Sequence, residues 1–167
     1  MLKTIAVVGR PNVGKSSLFN RLTQSRDALV MDMPGVTRDR LYGRFELENQ
    51  AYVLIDTGGL LAENHQVDYL MTEQTQLAVN EADVVVLMVD ARSGLLPGDE
   101  IIAQQLRSTN KPVIVLVNKI DGLDEDSVLN DFYQLGFESL LAVSVSHNRG
   151  LKPLRDLLVQ LSDVVED

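Results

Sequence analysis

The sequence predicts an α/β fold in which a mostly parallel sheet lies between layers of helices. Three observations predict it. Short runs of β-branched and aliphatic residues recur along the chain, continuously apolar rather than alternating, as strands buried on both faces are. Longer stretches with helical spacing of apolar residues separate them. Residues with chemical character cluster where the apolar runs end, and open parallel sheets bind ligands beyond the carboxyl ends of their strands.

The elements follow in order. "TIAVV" (Thr4–Val8) reads as the first strand, "GRPNVGKSS" as a glycine-rich turn and "SSLFNRLTQ" (Ser16–Gln24) as a helix. A long irregular stretch, "SRDALVMDMPGVTRDRLYG", comes next. Loops of that length in compact domains are usually functional or disordered. "YGRFEL" (Tyr42–Leu47) alternates, and it faces "YVLID" (Tyr52–Asp56) across the turn-like "ENQ", the pattern of an antiparallel hairpin at a sheet edge. A helix over "VDYLMTEQTQLAVNEA" precedes the strand "VVVLMVD" (Val84–Asp90), and a helix over "DEIIAQQLRS" follows the loop "ARSGLLPG". "PVIVLVN" (Pro112–Asn118) and "LLAVSV" (Leu140–Val145) are the remaining strands. Asp124, Glu125 and Asp126 form an acidic run that suits a helix N-terminus better than a metal site. Leu151, Leu154, Leu157, Leu158, Leu161 and Val164 repeat close to every 3.6 residues, with Pro153 in the first turn, so a helix closes the chain.

Composition bounds the function. The 167 residues suit one domain with a sizeable core. Fifteen basic against 24 acidic side chains give a net charge of −9, a poor basis for gripping a phosphate backbone, so little direct nucleic-acid binding is expected of this domain. There is no cysteine, which excludes disulfides, thiolate metal sites and a cysteine nucleophile. No secretory signal or membrane-spanning run is present, and the reading is a soluble cytoplasmic protein without a membrane partner. The tail "LSDVVED" loses its apolar pattern, so we expect a domain over 1–162 and the start of an acidic linker at 163–167, a frayed terminus being the plainer alternative.

Gly9 to Ser17, "GRPNVGKSS", match the phosphate-loop pattern G-x-x-x-x-G-K-[ST] between a strand and a helix. Its glycines let several backbone N–H groups of the run Gly9, Arg10, Pro11, Asn12, Val13 and Gly14 (proline itself has none) curl toward a phosphate, and the helix N-terminus beyond adds to that field. Lys15 would bridge the β- and γ-phosphates, and Ser16 beside Ser17 would ligate Mg²⁺. "NKID" makes the choice of base. Asp121 would accept two hydrogen bonds from guanine and find no partner on adenine, a discrimination of about 10⁴–10⁵. Lys119 would lie along the base, Asn118 would tie this loop to the phosphate loop, and Ser144 and Val145 would turn a backbone N–H toward guanine O6.

"DTGG", Asp56 to Gly59, ends a strand where a carboxylate holds Mg²⁺ through a water and the Thr57, Gly58 and Gly59 peptides approach a γ-phosphate closely. A plain strand-ending turn is the competing reading. Thr37 in the long loop is the candidate for Mg²⁺ and the γ-phosphate, with Thr23 a rival on the helix. Arg26, Arg38, Arg40 and Arg44 make this region basic within an acidic chain; solvated charge is the default explanation and a partner-facing surface the alternative. His65 and His147 read as surface residues.

"GRPNVGKSSLFNRL", "PGVTRDR", "LIDTGG", "NKID" and "SHNRG" together resemble the TrmE–Era–Der class of bacterial GTPases, most closely the first G domain of the Der (EngA) family of ribosome-assembly GTPases. The resemblance implies a Ras-like P-loop GTPase fold: a six-stranded, mostly parallel sheet with one antiparallel edge strand, flanked by about five helices. It implies GTP hydrolysis to GDP with Mg²⁺, and as partners the large ribosomal subunit and the other domains of the same protein. Where many such hydrolases carry a glutamine that aims water, this chain has Leu60. The resemblance implies K⁺ in its place, held by Asn12 and first-switch carbonyls, with water oriented by the Gly59 backbone; Lys15 and Thr37 complete the catalytic set. A bound cation would act as an arginine finger does elsewhere, for about 10³–10⁵ in rate. The alternative reading of Asn12 is that it shapes its loop through a local side-chain hydrogen bond, with no ion at all. Val145 stands where alanine is usual, and Asn148 where glycine is common. Two alternatives stay open: a nucleotide-sensing regulatory domain with negligible turnover, which Leu60 keeps alive, and the G domain of an Era-like or tRNA-modification GTPase.

Overall fold

The computed structural model describes residues 2–23, 30–31, 41–57 and 73–166. Its strands are β1 (Lys3–Gly9), β2 (Val30–Met31), β3 (Leu41–Leu47), β4 (Gln50–Asp56), β5 (Val84–Asp90), β6 (Val113–Asn118) and β7 (Ser139–Ala142). The helices are α1 (Lys15–Leu22), α2 (Glu73–Glu81), α3 (Pro97–Arg107), α4 (Glu125–Phe132) and α5 (Leu151–Glu166).

The seven strands among the described residues form one sheet in the order β2-β3-β4-β1-β5-β6-β7. β1 lies at the centre, parallel to β4 and β5, and β6 and β7 continue in parallel. β3 runs antiparallel to β4, the expected edge hairpin, with Leu47 opposite Gln50. Glu48 and Asn49 between them have φ of 50° and 67°. Two consecutive positive φ values are those of a type I′ turn, whose twist matches that of the flanking strands. β2 is an addition to the six strands expected: two residues paired antiparallel to β3, too short to leave a periodic signature.

Alternate residues of the central strands feed two separate cores. Ile5, Val7, Val84, Val86, Met88, Ile114 and Leu116 face one side, where Leu18 and Phe19 of α1 and Leu151, Leu154 and Leu158 of α5 cover them. Ala6, Val8, Val85, Leu87, Val115 and Val117 face the other, under Ala78 and Val79 of α2, Ile102 and Leu106 of α3, and Phe132 of α4. A sheet buried on both faces explains why its strands read as unbroken apolar runs.

Three boundaries differ from the sequence reading. The last strand ends at Ala142 rather than Val145, because Ser144 bridges Arg149 and Val145–His147 form a 3₁₀ turn. α1 stops at Leu22, where the Thr23 hydroxyl donates to Phe19 O at 2.7 Å. α5 continues through Glu166. Asp124 is the N-cap of α4, with Glu125 and Asp126 in its first turn, the place the acidic run suits.

Candidate functional site

The carboxyl ends of β1, β4, β5 and β6 meet at one edge of the sheet, and the loops leaving them carry the residues singled out above. The loop after β1 is shaped by backbone strain. Gly9 has φ of 151°, Asn12 of 68° and Gly14 of 114°. A Cβ at Gly14 would overlap the amide nitrogen of Asn118, so only glycine fits there. Asn12 is exposed, and asparagine is among the few side chains that tolerate its left-handed backbone. Pro11 sits in the same bend, and Val13 is buried beneath it.

α1 begins directly behind this loop. Its N-cap is Gly14, with no side-chain hydrogen bond to the first turn. Helix N-termini carry unpaired N–H groups and partial positive charge, which suit an anion. Lys15 is buried, and its Nζ donates to Gly9 O at 2.6 Å and Arg10 O at 2.8 Å. Burial lowers its pKa to about 8; Asp56 opposes that shift and the Arg10 charge adds to it. Ser16 and Ser17 are exposed on the first turn.

The Ser16 hydroxyl donates to Asp56 Oδ2 at 3.3 Å. These are hard oxygen donors of the kind Mg²⁺ takes, one or two from protein with the rest from phosphate and water. Among the described residues no group of three or more His, Cys, Asp or Glu is placed to hold a metal. Thr57, expected beside the phosphates, turns its hydroxyl back to Val7 O at 2.7 Å. Thr37, Gly58, Gly59 and Leu60 lie outside the described residues, as do Arg26, Arg38, Arg40 and His65. Arg44 is exposed on β3.

Asn118 fastens the loops to one another. Its Nδ2 donates to Val13 O at 2.9 Å, and its Oδ1 accepts from Val145 N–H at 3.1 Å. That second bond occupies the N–H assigned from sequence to guanine O6, so a base would have to compete for it. The Ser144 N–H likewise donates to Arg149 O. Lys119, at φ of 69°, reaches across to Asn12 O at 3.0 Å and to Asp90 Oδ2 at 2.9 Å. Asp121 accepts from Ser144 Oγ at 2.9 Å, and Arg92 Nη2 donates to its backbone carbonyl. The Ser144 hydrogen bond leads the effects that hold Asp121 below the usual carboxylate range, with His147 and Arg92 nearby helping. Asn148 has φ of 54°, a left-handed residue where asparagine substitutes for glycine.

Several members of this constellation were not singled out in the sequence. Asp90 ends β5 as Asp56 ends β4, and that shared position was the available signal. Burial opposes its charge, but hydrogen bonds from Lys119 Nζ and from the Arg92 and Ser93 backbone outweigh it and lower its pKa. Asp99 is fully buried: Oδ2 accepts from Leu96 N–H at the start of α3, and Oδ1 from Arg10 Nε at 2.8 Å. The pair pins the phosphate loop to α3, with Arg10 Nη2 buried and unpartnered among the described residues.

The chain is similar to several known GTPases. GTPase Der of Cronobacter sakazakii is 53% identical over 167 residues, covering 99% of this chain and 34% of the relative. GTPase Der of Shigella boydii is 55% identical over 154 residues, covering 92% and 31%. The chain therefore spans about a third of the length of these relatives. Among solved structures, Aquifex aeolicus Era bound to GDP and AlF4⁻ superimposes with a TM-score of 0.76 at 28% identity, over 96% of this chain and 56% of that one. The G domain of the T. maritima FeoB iron transporter gives 0.71 at 26%, over 97% and 99%. The family model described as 50S ribosome-binding GTPase matches residues 4–119, and the chain belongs to that family.

Proposed function

We propose that this domain binds GTP at the edge built from the β1, β4, β6 and β7 loops and hydrolyses it to GDP and phosphate. The observation that carries the reading is the pair of hydrogen bonds that Asn118 makes, donating to Val13 O and accepting from Val145 N–H, which makes phosphate loop and base loop one unit. Gly9 to Ser17 would wrap the phosphates with backbone N–H groups at the α1 N-terminus. Lys15 would leave the Gly9 and Arg10 carbonyls for the β- and γ-phosphates, while Asp121 accepts from guanine and Lys119 lines the base.

Ser16, Thr37 and, through water, Asp56 would hold Mg²⁺, which neutralises charge developing on the phosphates. The 3.3 Å approach of Ser16 to Asp56 fits such a shared ion, and a related Era structure is described as a complex with MgGDPNP. Gly59 would orient water through its backbone. K⁺ beside Asn12 would supply the charge that a glutamine-free site lacks. The structure changes how that idea is tested, because Asn12 has a left-handed backbone: Asn12→Gly removes the amide and keeps the loop, whereas Asn12→Ala strains it.

At the level of the whole protein, we propose the G domain of a longer ribosome-assembly GTPase acting in the cytoplasm. Its relatives are named GTPase Der, and its family is described as 50S ribosome-binding. Contact with the large subunit would run chiefly through other domains, given a net charge of −9 here. Residues 1–162 would make the G domain and 163–167 lead toward the next.

Phosphate release from GTP with Mg²⁺, in KCl and in matched NaCl, tests the reading on the native chain and on Asn12→Gly. Turnover in both salts, faster in KCl and no longer so in Asn12→Gly, is the expected result. Tight GTP binding with no release in either salt would make this a nucleotide sensor instead.

A further inference from the structure

Asp121 is held by a short chain of side chains that ends at His147. The Ser144 hydroxyl is 2.9 Å from Asp121 Oδ1 and also 2.9 Å from His147 Nδ1. Ser146 Oγ lies 3.1 Å from the same ring nitrogen. A serine hydroxyl has one proton to give, and an ionised carboxylate only accepts. The Ser144 proton therefore belongs to Asp121. An unprotonated Nδ1 would then set its lone pair against that of Ser144 Oγ at 2.9 Å, a repulsive contact. The contact is a hydrogen bond only if Nδ1 carries the proton and donates it to Ser144 Oγ.

Ser144 is fully buried, so its hydroxyl has no water to turn to. His147 is more than half exposed and lies 3.8 Å from Asp121 Oδ1. From the loop after β5, Arg92 Nη2 donates to the Asp121 carbonyl and stands 3.5 Å from Oδ2. Ser144 thus fixes one carboxylate oxygen and Arg92 flanks the other.

We propose that His147 is a positioning residue for base recognition: through its Nδ1–H it commits the Ser144 proton to Asp121 and so holds the carboxylate in the orientation that reads guanine. The proposal rests on the assignment of Asp121 as the guanine acceptor. In this role the ring acts through Ser144, setting the direction of the hydrogen bond that Ser144 gives Asp121. A neutral ring in the Nδ1–H form and an imidazolium both satisfy it, since both donate from Nδ1.

Two measurements test it. Ring ¹⁵N resonances of His147 in the native protein should show the neutral imidazole protonated at Nδ1; protonation at Nε2 alone would overturn the proposal. Affinities for GTP and for xanthosine triphosphate, whose base presents an oxygen where guanine presents its amine, should then be compared in His147→Phe and His147→Asn. His147→Phe keeps a ring and loses the donor. Its GTP affinity should fall about three- to tenfold, with xanthosine triphosphate affinity unchanged, so that selectivity drops by the same factor. His147→Asn, whose amide restores a donor near the Nδ1 position, should recover most of it. An equal loss for both nucleotides, or no change in their ratio, would overturn the role. Asp121→Asn separates this from the parent reading. If that variant does not move preference toward xanthine, the base-reading assignment itself fails; if it does while His147→Phe stays selective, only the role of His147 is lost.

Discussion

Asn118 Nδ2 donates to the Val13 carbonyl at 2.9 Å across 105 residues of sequence. With Oδ1 taken by Val145 N–H, one planar amide satisfies a donor and an acceptor from two separate loops. Few other side chains offer both functions at that length.

Asn118→Asp keeps the shape and the acceptor but places an anionic oxygen against a carbonyl. We expect a loss of about 3 kcal/mol in stability, the cost of an unmade bond at a buried site with charge added. GTP affinity should drop at least tenfold as the loops part. Thermal melting and titration with a fluorescent GDP analogue check both, and an unchanged melting temperature would contradict the tie.

Gly14→Ala tests the same junction from the other side. The backbone at φ of 114° would cost about 1–3 kcal/mol with any side chain, and the new methyl would displace Asn118. Gly94 is the control, with positive φ but nothing within 4 Å of an added Cβ. Gly94→Ala should lower stability by about 1 kcal/mol and leave nucleotide affinity intact; equal effects on binding would refute the steric account.

Asp99→Ala should destabilise the domain by about 3–5 kcal/mol, since it strands Arg10 at a site where its partner is fully buried. Replacing both, as Arg10→Met with Asp99→Leu, should return most of that loss. Denaturant midpoints of the single and double variants decide it; a double variant as weak as Asp99→Ala would show that the ion pair contributes net stability.

Lys15 makes nucleotide binding sensitive to alkaline pH. Burial holds its folded pKa at about 8, below the ordinary lysine value of 10.5. Between those values the unfolded chain holds more protons, so this group's contribution to the stability of the nucleotide-free protein rises with pH there. Binding has the opposite sign. Phosphate favours the ammonium form, so affinity should be full below about pH 8 and fall by up to about tenfold per pH unit above it. Dissociation constants for GTP at neutral and alkaline pH measure this, with Lys15→Arg, always charged, as the flat control. An equal decline in Lys15→Arg would assign the effect elsewhere.

Much of this was legible before any coordinates. The central strands announce themselves because both faces are buried, and the glycine-rich turn and "NKID" sit at strand ends where the topology brings them together. The short strand Val30–Met31 was not legible, since two residues carry no period. Nor was the fate of Val145, whose N–H goes to Asn118 rather than standing free, or of Thr57, whose hydroxyl returns to Val7. Asp99 looked like an ordinary loop-to-helix residue until the fold set it 2.8 Å from Arg10, 89 positions away.

The sequence alone determined the succession of the longer strands and helices, the phosphate-loop pattern and the candidate base reader, because these depend on local periodicity and on motifs contiguous in the chain. Only the tertiary structure decided which polar groups are already spent. Asp90 on Lys119, Asp99 on Arg10, Asn118 on Val13 and Asp121 on Ser144 are partnerships set by where segments leaving different strands converge. A hydrogen bond depends on distances of a few tenths of an ångström, and no spacing along the chain encodes that across a sheet.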